Sequence, residues 1–154
     1  MGMDVMGKGN TDAYFRASCW GWRPIHAICE YAIEKQKLPY NTKSWGYNDG
    51  GGLETQEDCN KLADAIETSI AAFGLKQDDD CLYLCLGSWC TPQGEFVTEQ
   101  VEEELNEAYP QGTILYNSVV TKDGTIAQSS HMTDLESVKK FVSFLRECEG
   151  FEIW

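Results

Sequence analysis

The spacing of apolar residues divides the chain into strand-like and helix-like stretches. Residues 2–6 (GMDVM) alternate as a half-buried strand does and lead into a turn at Gly7–Thr11. Pro24 suits the first position of a helix, and Ile25, Ile28, Cys29, Ala32 and Ile33 behind it share one face. The pattern therefore predicts a helix from Pro24 to a point before Pro39, followed by a loop over Asn41–Gly52. Thr55 begins a second helix, with Asp58 three residues on and acid in the first turn. Cys59, Leu62, Ala63, Ile66, Ile70 and Phe73 recur on its inner face, and Gly74 is its expected stop.

Beyond the acidic run Asp78–Asp80, CLYLCL at 81–86 reads as a buried strand, and Thr91–Gly94 as a turn. Thr98–Tyr109 predicts a short acidic helix whose inner face is Val101, Leu105 and Ala108. Lys122-Asp123-Gly124 between Thr113–Thr121 and Thr125–Ser129 is a hairpin signal, because the turn needs a positive φ that Gly supplies. A last helix is predicted from about Thr133 to Cys148, with the stripe Leu135, Val138, Phe141, Val142 and Leu145. Gly150 ends it, and FEIW makes a final strand. Three to four helices packed on one small antiparallel sheet amount to an α+β fold, expected as one domain over 1–154.

Charge is distributed unevenly over this plan. The formal net charge is −13, yet residues 1–50 carry six Lys/Arg against five Asp/Glu. Residues 51–110 carry two against fourteen. Lys and Arg dominate nucleic-acid affinity through phosphate neutralisation, so a chain this acidic is a poor candidate for direct binding to nucleic acid or to anionic membranes. No apolar run reaches the ~18 residues of a membrane span, and the start lacks the basic-then-apolar pattern of an export signal. A cytoplasmic setting is expected, with the seven cysteines reduced and mostly buried.

Several segments carry candidate chemistry. Cys81, Cys85 and Cys90 are spaced C-x3-C-x4-C, but structural zinc sites prefer two close pairs, and neither Cys59, His131 nor Cys148 supplies a second pair. Buried thiols are the expectation, and no motif calls for a cofactor. GYNDGGG at 46–52 precedes a helix start without the Lys-Ser/Thr of a phosphate loop, and Glu54, Glu57 and Asp58 would repel a phosphate there. Ser129, Ser130, His131 and Asp134, or a cysteine with His26 or His131, contain the residue types of a hydrolase but no nucleophile elbow. Ser129–Asp134 is expected to cap the last helix instead. Glu99, Glu102, Glu103, Glu104 and Glu107 lie at helical spacing opposite an apolar face and read as a solvated acidic surface. Tyr14, Phe15, Arg16, Trp20, Trp22 and Arg23 gather four aromatics and two cations into ten residues. They read either as a core wall or as a contact surface for a planar ligand or partner, with Trp20 and Trp22 on one face if the segment is extended.

Five pieces of the chain, taken together, resemble a family of small uncharacterised proteins of phages and bacteria. They are GMDV at 2–5 with a following glycine, YFR at 14–16, WGWRP at 20–24, the turn at Asn48–Gly50, and VKKFVSFLRECEGFEIW at 138–154. Many members carry zinc-finger-like C-x2-C pairs in the middle, and this chain does not, so no metal is carried over. The resemblance implies a phage or prophage setting and no activity. The expected function is therefore a non-enzymatic protein that binds another protein, with the acidic middle facing a basic partner. The alternatives are a small-molecule or nucleotide binder built on the N-terminal aromatics, and a hydrolase or zinc enzyme.

Overall fold

In the computed structural model, residues 2–72, 81–84, 89–110, 113–116 and 119–154 are described, those of 81–84 and 114–116 by their backbone alone. The elements in chain order begin with strands β1 (Gly2–Gly7) and β2 (Tyr14–Ser18) and helix α1 (Cys19–Gln36). A short 3-10 turn at Lys43–Gly46 precedes strand β3 (Gly52–Leu53) and helix α2 (Gln56–Ala72). Strands β4 (Cys81–Leu84) and β5 (Trp89–Cys90), helix α3 (Glu99–Ala108) and strands β6 (Ile114–Tyr116) and β7 (Val119–Val120) follow. Strands β8 (Ile126–Ser129) and β9 (Met132–Asp134), helix α4 (Leu135–Leu145) and strand β10 (Phe151–Ile153) complete the chain.

The principal sheet runs β2-β1-β10-β3, antiparallel throughout, so the first and last strands are neighbours at its centre. Asp4 and Trp154 exchange backbone hydrogen bonds at 2.7 Å in both directions, which ties the two ends together. The pleat decides the core: Met3, Val5, Phe15, Phe151 and Ile153 face inward, while Asp4, Met6, Tyr14 and Arg16 take the other side. The inward side chains meet Trp22, Ile25, Ile28 and Cys29 of α1, Leu62, Ala63 and Ile66 of α2, and Val138, Phe141 and Leu145 of α4. Phe141 is the hub, with its ring centroid 5.2 Å from Phe15, 5.6 Å from Trp22 and 6.3 Å from Phe151.

The α+β class is as the sequence predicts, but the strands divide among three sheets where one was expected. Among the described residues there are, besides the principal sheet, two three-stranded ones, β6-β4-β9 and β5-β8-β7. The division cuts the long first arm of the predicted hairpin. Val119–Val120 do pair with Ile126–Ala127 across the Gly124 turn (φ 84°), whereas Ile114–Tyr116 pair with β4. A short strand can satisfy its edge in more than one sheet, and apolar alternation alone does not say which. Trp89, Leu105 and Ala127 form a second, smaller core under α3. Ala108, expected inside, is exposed.

Helix α1 starts earlier than Pro24 predicts. Ser18 is its cap, with Oγ accepting from Gly21 N–H at 3.0 Å, and Pro24 lies inside the helix. The proline forgoes the bond its N–H would have given to the Trp20 carbonyl, and burial of Trp22, Pro24 and Ile25 offsets that loss. Helix α2 begins as predicted, with Thr55 Oγ1 accepting from Asp58 N–H at 3.2 Å and donating to Asp58 Oδ2 at 2.9 Å. Its predicted end at Phe73–Gly74 and the Asp78–Asp80 run lie outside the described residues. Among the described residues no helix is long and apolar enough to cross a membrane.

Candidate functional site

The early start of α1 determines what becomes of the aromatic segment. At about 100° per residue, Trp20 and Trp22 sit roughly 200° apart around a helix, so the shared face expected of an extended segment does not form. Trp22 falls in line with Ile25 and Cys29 and is 1% exposed, its indole N–H donating to the Trp45 carbonyl at 2.6 Å. Trp20 points away and is 65% exposed. Phe15 joins Trp22 in the core. Tyr14 and Arg16 stand on the open side of the principal sheet, both directed at Asp4. The Tyr14 hydroxyl donates to Asp4, and Arg16 Nε lies 3.5 Å from Asp4 Oδ1. The hydrogen bond to Asp4 holds the Tyr14 phenol above its ordinary pKa. The six candidate residues thus separate into core (Phe15, Trp22), sheet face (Tyr14, Arg16) and outward helix face (Trp20, Arg23).

The outward face is a built platform. Arg23, three residues after Trp20, lies one turn above it, with Cζ 5.9 Å from the ring centroid. His131, brought in by the turn between β8 and β9, lies 5.2 Å from the same ring at a 40° tilt. Arg23 Nη1 and His131 Nε2 are 3.2 Å apart, and His131 Nδ1 is 3.0 Å from Ser130 Oγ. Ser129 Oγ accepts from the His131 backbone N–H at 3.3 Å. An indole between a guanidinium and an imidazole is fixed in orientation although most of its surface faces solvent.

This geometry also bears on the hydrolase reading. A guanidinium only donates, so His131 Nε2 must accept from Arg23, and the ring proton sits on Nδ1. Nδ1–H then donates to Ser130 Oγ. The imidazole consequently holds no free lone pair toward the serine, and this arrangement does not activate Ser130 as a nucleophile. Burial, reinforced by the positive charge of Arg23, pushes the His131 pKa below its ordinary value and keeps the ring neutral. Asp134 is occupied as the cap of α4, its Oδ1 accepting from Ser137 N–H at 2.6 Å, which is the capping role expected of this segment.

Beside the platform, β2, the first turn of α1, β9 and α4 enclose an open cleft of about 460 Å³. Arg16, Ser18, Met132, Thr133, Ser137 and Lys140 line it. On the acidic helix, Glu99, Glu103 and Glu107 are exposed, while Glu102 and Glu104 are partly covered. Among the described residues the only ion pair from these five is Glu104 to Lys122, at 3.8 Å. Of the C-x3-C-x4-C cysteines, Cys90 is buried in β5, and burial raises its thiol pKa. Cys85 and the side chain of Cys81 lie outside the described residues. No group of three or more His, Cys, Asp or Glu is placed to hold a metal ion among the described residues. The glycine-rich segment before α2 serves as a connector, with Glu54 paired to Lys8.

Sequence reasoning missed the joining of His131 to Trp20. The two are 111 positions apart, and no periodicity links a turn in one sheet to the first turn of a distant helix. It also missed exposed Phe96, and exposed Val120 and Ile126, cross-strand partners that strand alternation would have placed on one face had the strand borders been known. No protein-family model matches the chain, and no curated protein and no solved structure matches it.

Proposed function

We propose that this protein acts by binding another protein, and that the surface it uses is the Trp20–Arg23–His131 platform. The observation that carries the reading is an indole 65% exposed yet held by two neighbouring groups. Burial drives large aromatics inward, so a tryptophan kept outside in a fixed orientation has the character of an interface anchor. Trp and Arg are the residue types that dominate binding energy when a partner covers them. A cytoplasmic setting, and the phage or prophage context that the resemblance implies, belong to the same proposal, as does the absence of direct contact with nucleic acid.

Affinity capture from host lysate with the wild-type chain and with Trp20→Ala tests it. A partner held by the wild type should be lost or weakened by Trp20→Ala, since truncating an anchor of this kind costs about 2 kcal/mol or more, roughly 30-fold in affinity. A partner bound equally by both chains sinks the reading.

A second reading keeps the acidic helix as the contact for a basic partner. It is favoured by Glu99, Glu103 and Glu107, which repeat at i, i+4 and i+8 with no cation beside them among the described residues. Like charges at that spacing destabilise a helix, and a basic surface would relieve the repulsion. Binding on this face falls steeply with salt and is abolished by the triple change Glu99→Lys, Glu103→Lys, Glu107→Lys, while Trp20→Ala leaves it intact. The small-ligand alternative moves from the buried aromatics to the cleft beside Arg16. A thermal-shift panel of metabolites and nucleotides with no stabilised member removes it.

A further inference from the structure

Cys59 and Cys148 are 89 positions apart in the chain and meet in the core, Sγ to Sγ at 3.6 Å. Both are fully buried. Cys59 is the fourth residue of α2, and Cys148 sits in the turn between α4 and β10. Hydrogen bonds on both sides hold this approach. Gln56, in the first turn of α2, donates Nε2–H to the Leu145 carbonyl at 2.8 Å and accepts from Glu149 N–H at 2.8 Å. From the β1–β2 turn, Asn10 N–H donates to the Cys148 carbonyl at 3.3 Å, and Asn10 Nδ2 to the Glu147 carbonyl at 2.9 Å.

The two sulfurs are not equivalent. The Cys148 S–H has two acceptors at 3.6 Å, Cys59 Sγ and the Leu145 carbonyl. The hydrogen bond from Cys148, helped by the Gly150 N–H and the Lys8 ammonium, holds the Cys59 thiol below its ordinary pKa against the opposing effects of burial and of the Asp58 carboxylate. Its bond to Cys59, and then burial, push the Cys148 thiol up. One sulfur is arranged to carry negative charge, and the other keeps its proton beside it.

We propose that Cys59 and Cys148 form an oxidative modification site that a hydroperoxide converts to a disulfide, with Cys59 as the sulfur attacked first and Cys148 as the resolving thiol. The Cys59 thiolate attacks the distal peroxide oxygen. The O–O bond breaks, the alkoxide or hydroxide leaves and takes up a proton, and Cys59 becomes a sulfenic acid. Cys148 then gives up its proton and attacks the Cys59 sulfur, forming the S–S bond and releasing water. In sum, two thiols and one hydroperoxide give one disulfide, one alcohol or water, and one further water. Closing from 3.6 Å to a bond of ~2.05 Å needs a shift of about 1.5 Å. The turn directly after Cys148, with Glu149 and Gly150 at positive φ (53° and 87°), is tied to Gln56 and to the β1–β2 turn by hydrogen bonds, so the shift requires these to open locally. Because both sulfurs are shielded, the peroxide enters through local opening of that turn, and the reaction is slower than that of an exposed thiolate. The bridge then joins the start of α2 to the segment feeding the central strand β10. This inference does not depend on the partner-binding reading.

The test treats the folded wild-type chain with hydrogen peroxide in native buffer, alkylates the remaining thiols and maps the digest without reduction. The expected result is one Cys59–Cys148 cross-linked peptide, reversed by dithiothreitol, and a rise in the unfolding midpoint on the order of 10 °C from closing so long a loop. Cys148→Ser, which keeps a hydroxyl donor beside Cys59, should stop at the sulfenic acid and give a dimedone adduct on Cys59, and Cys148→Ala, which removes the donor, should give the same adduct more slowly. Cys59→Ser should leave Cys148 unlabelled. Cross-linking only after denaturation, pairing of other cysteines in the native chain, or dimedone capture at Cys148 in place of Cys59 overturns the proposal. The wild-type cross-link decides the matter even if a variant fails to fold.

Discussion

Trp20 and Trp22 are two residues apart and have opposite fates. Trp22 fills the junction of α1, α4 and the 3-10 turn, with its N–H bonded. Trp22→Ala should therefore lose both packing and cavity energy, about 3–5 kcal/mol, read by urea or thermal unfolding. Trp20→Ala should change stability by less than about 1 kcal/mol, because its ring buries little surface in the free chain. A comparable loss from both would mean that Trp20 belongs to the core. His131 offers a second measurement at this scale. Its pKa is lowered in the folded chain by burial and by Arg23, so in the window below the unfolded value of ~6.5 the unfolded chain binds the extra proton. The contribution to stability is complete above that value and is lost as pH falls toward the folded pKa. In an NMR titration His131 should protonate below ~6.5, and Arg23→Ala should raise its midpoint. No upward movement on removing Arg23 would contradict the contact at Nε2.

At the scale of elements, caps and turns fix where helices begin and strands resume. Thr55 holds the start of α2 by two contacts with Asp58, so Thr55→Ala should cost about 1 kcal/mol in unfolding free energy. Gly150 is the stricter case. It sits at φ 87°, and a Cβ there would come within 2.5 Å of the Glu54 carbonyl oxygen. Gly150→Ala combines backbone strain with a collision against main chain that cannot swing away, and should destabilise by clearly more than the cap mutant. If the two cost the same, the turn before β10 is looser than described. Caps and turn glycines are local, and the sequence shows them well: Thr55, Gly124 and Gly150 were all legible. The start of α1 was not, because Ser18 and Pro24 are both acceptable starting signals and the choice between them rests on burying Trp22.

For the molecule as a whole, charge opposes compaction. Fourteen acids against two bases in residues 51–110 repel one another in any compact state. Raising sodium chloride from about 20 to 200 mM should therefore lift the thermal midpoint by a few degrees through screening, and a fall would contradict the charge argument. The principal sheet places its strongest constraint at the chain ends, where β1 and β10 pair side by side and Trp154 bonds to Asp4. Removal of the last four residues should abolish cooperative unfolding, since it deletes a central strand and two core side chains, Phe151 and Ile153.

The sequence alone determined the α+β class, a plan of three to four helices, the turn at Gly124, the final strand and the acidic middle, because each depends on spacing or composition within a few residues. Only the tertiary structure decided that Trp20 stays outside while Trp22 goes in, that His131 and Arg23 hold it there, and that Cys59 meets Cys148. It also decided that the strands divide among three sheets. Those outcomes depend on contacts between residues far apart in the chain, chosen by how three helices cover one sheet face, and no local pattern encodes which distant side chain will be the neighbour.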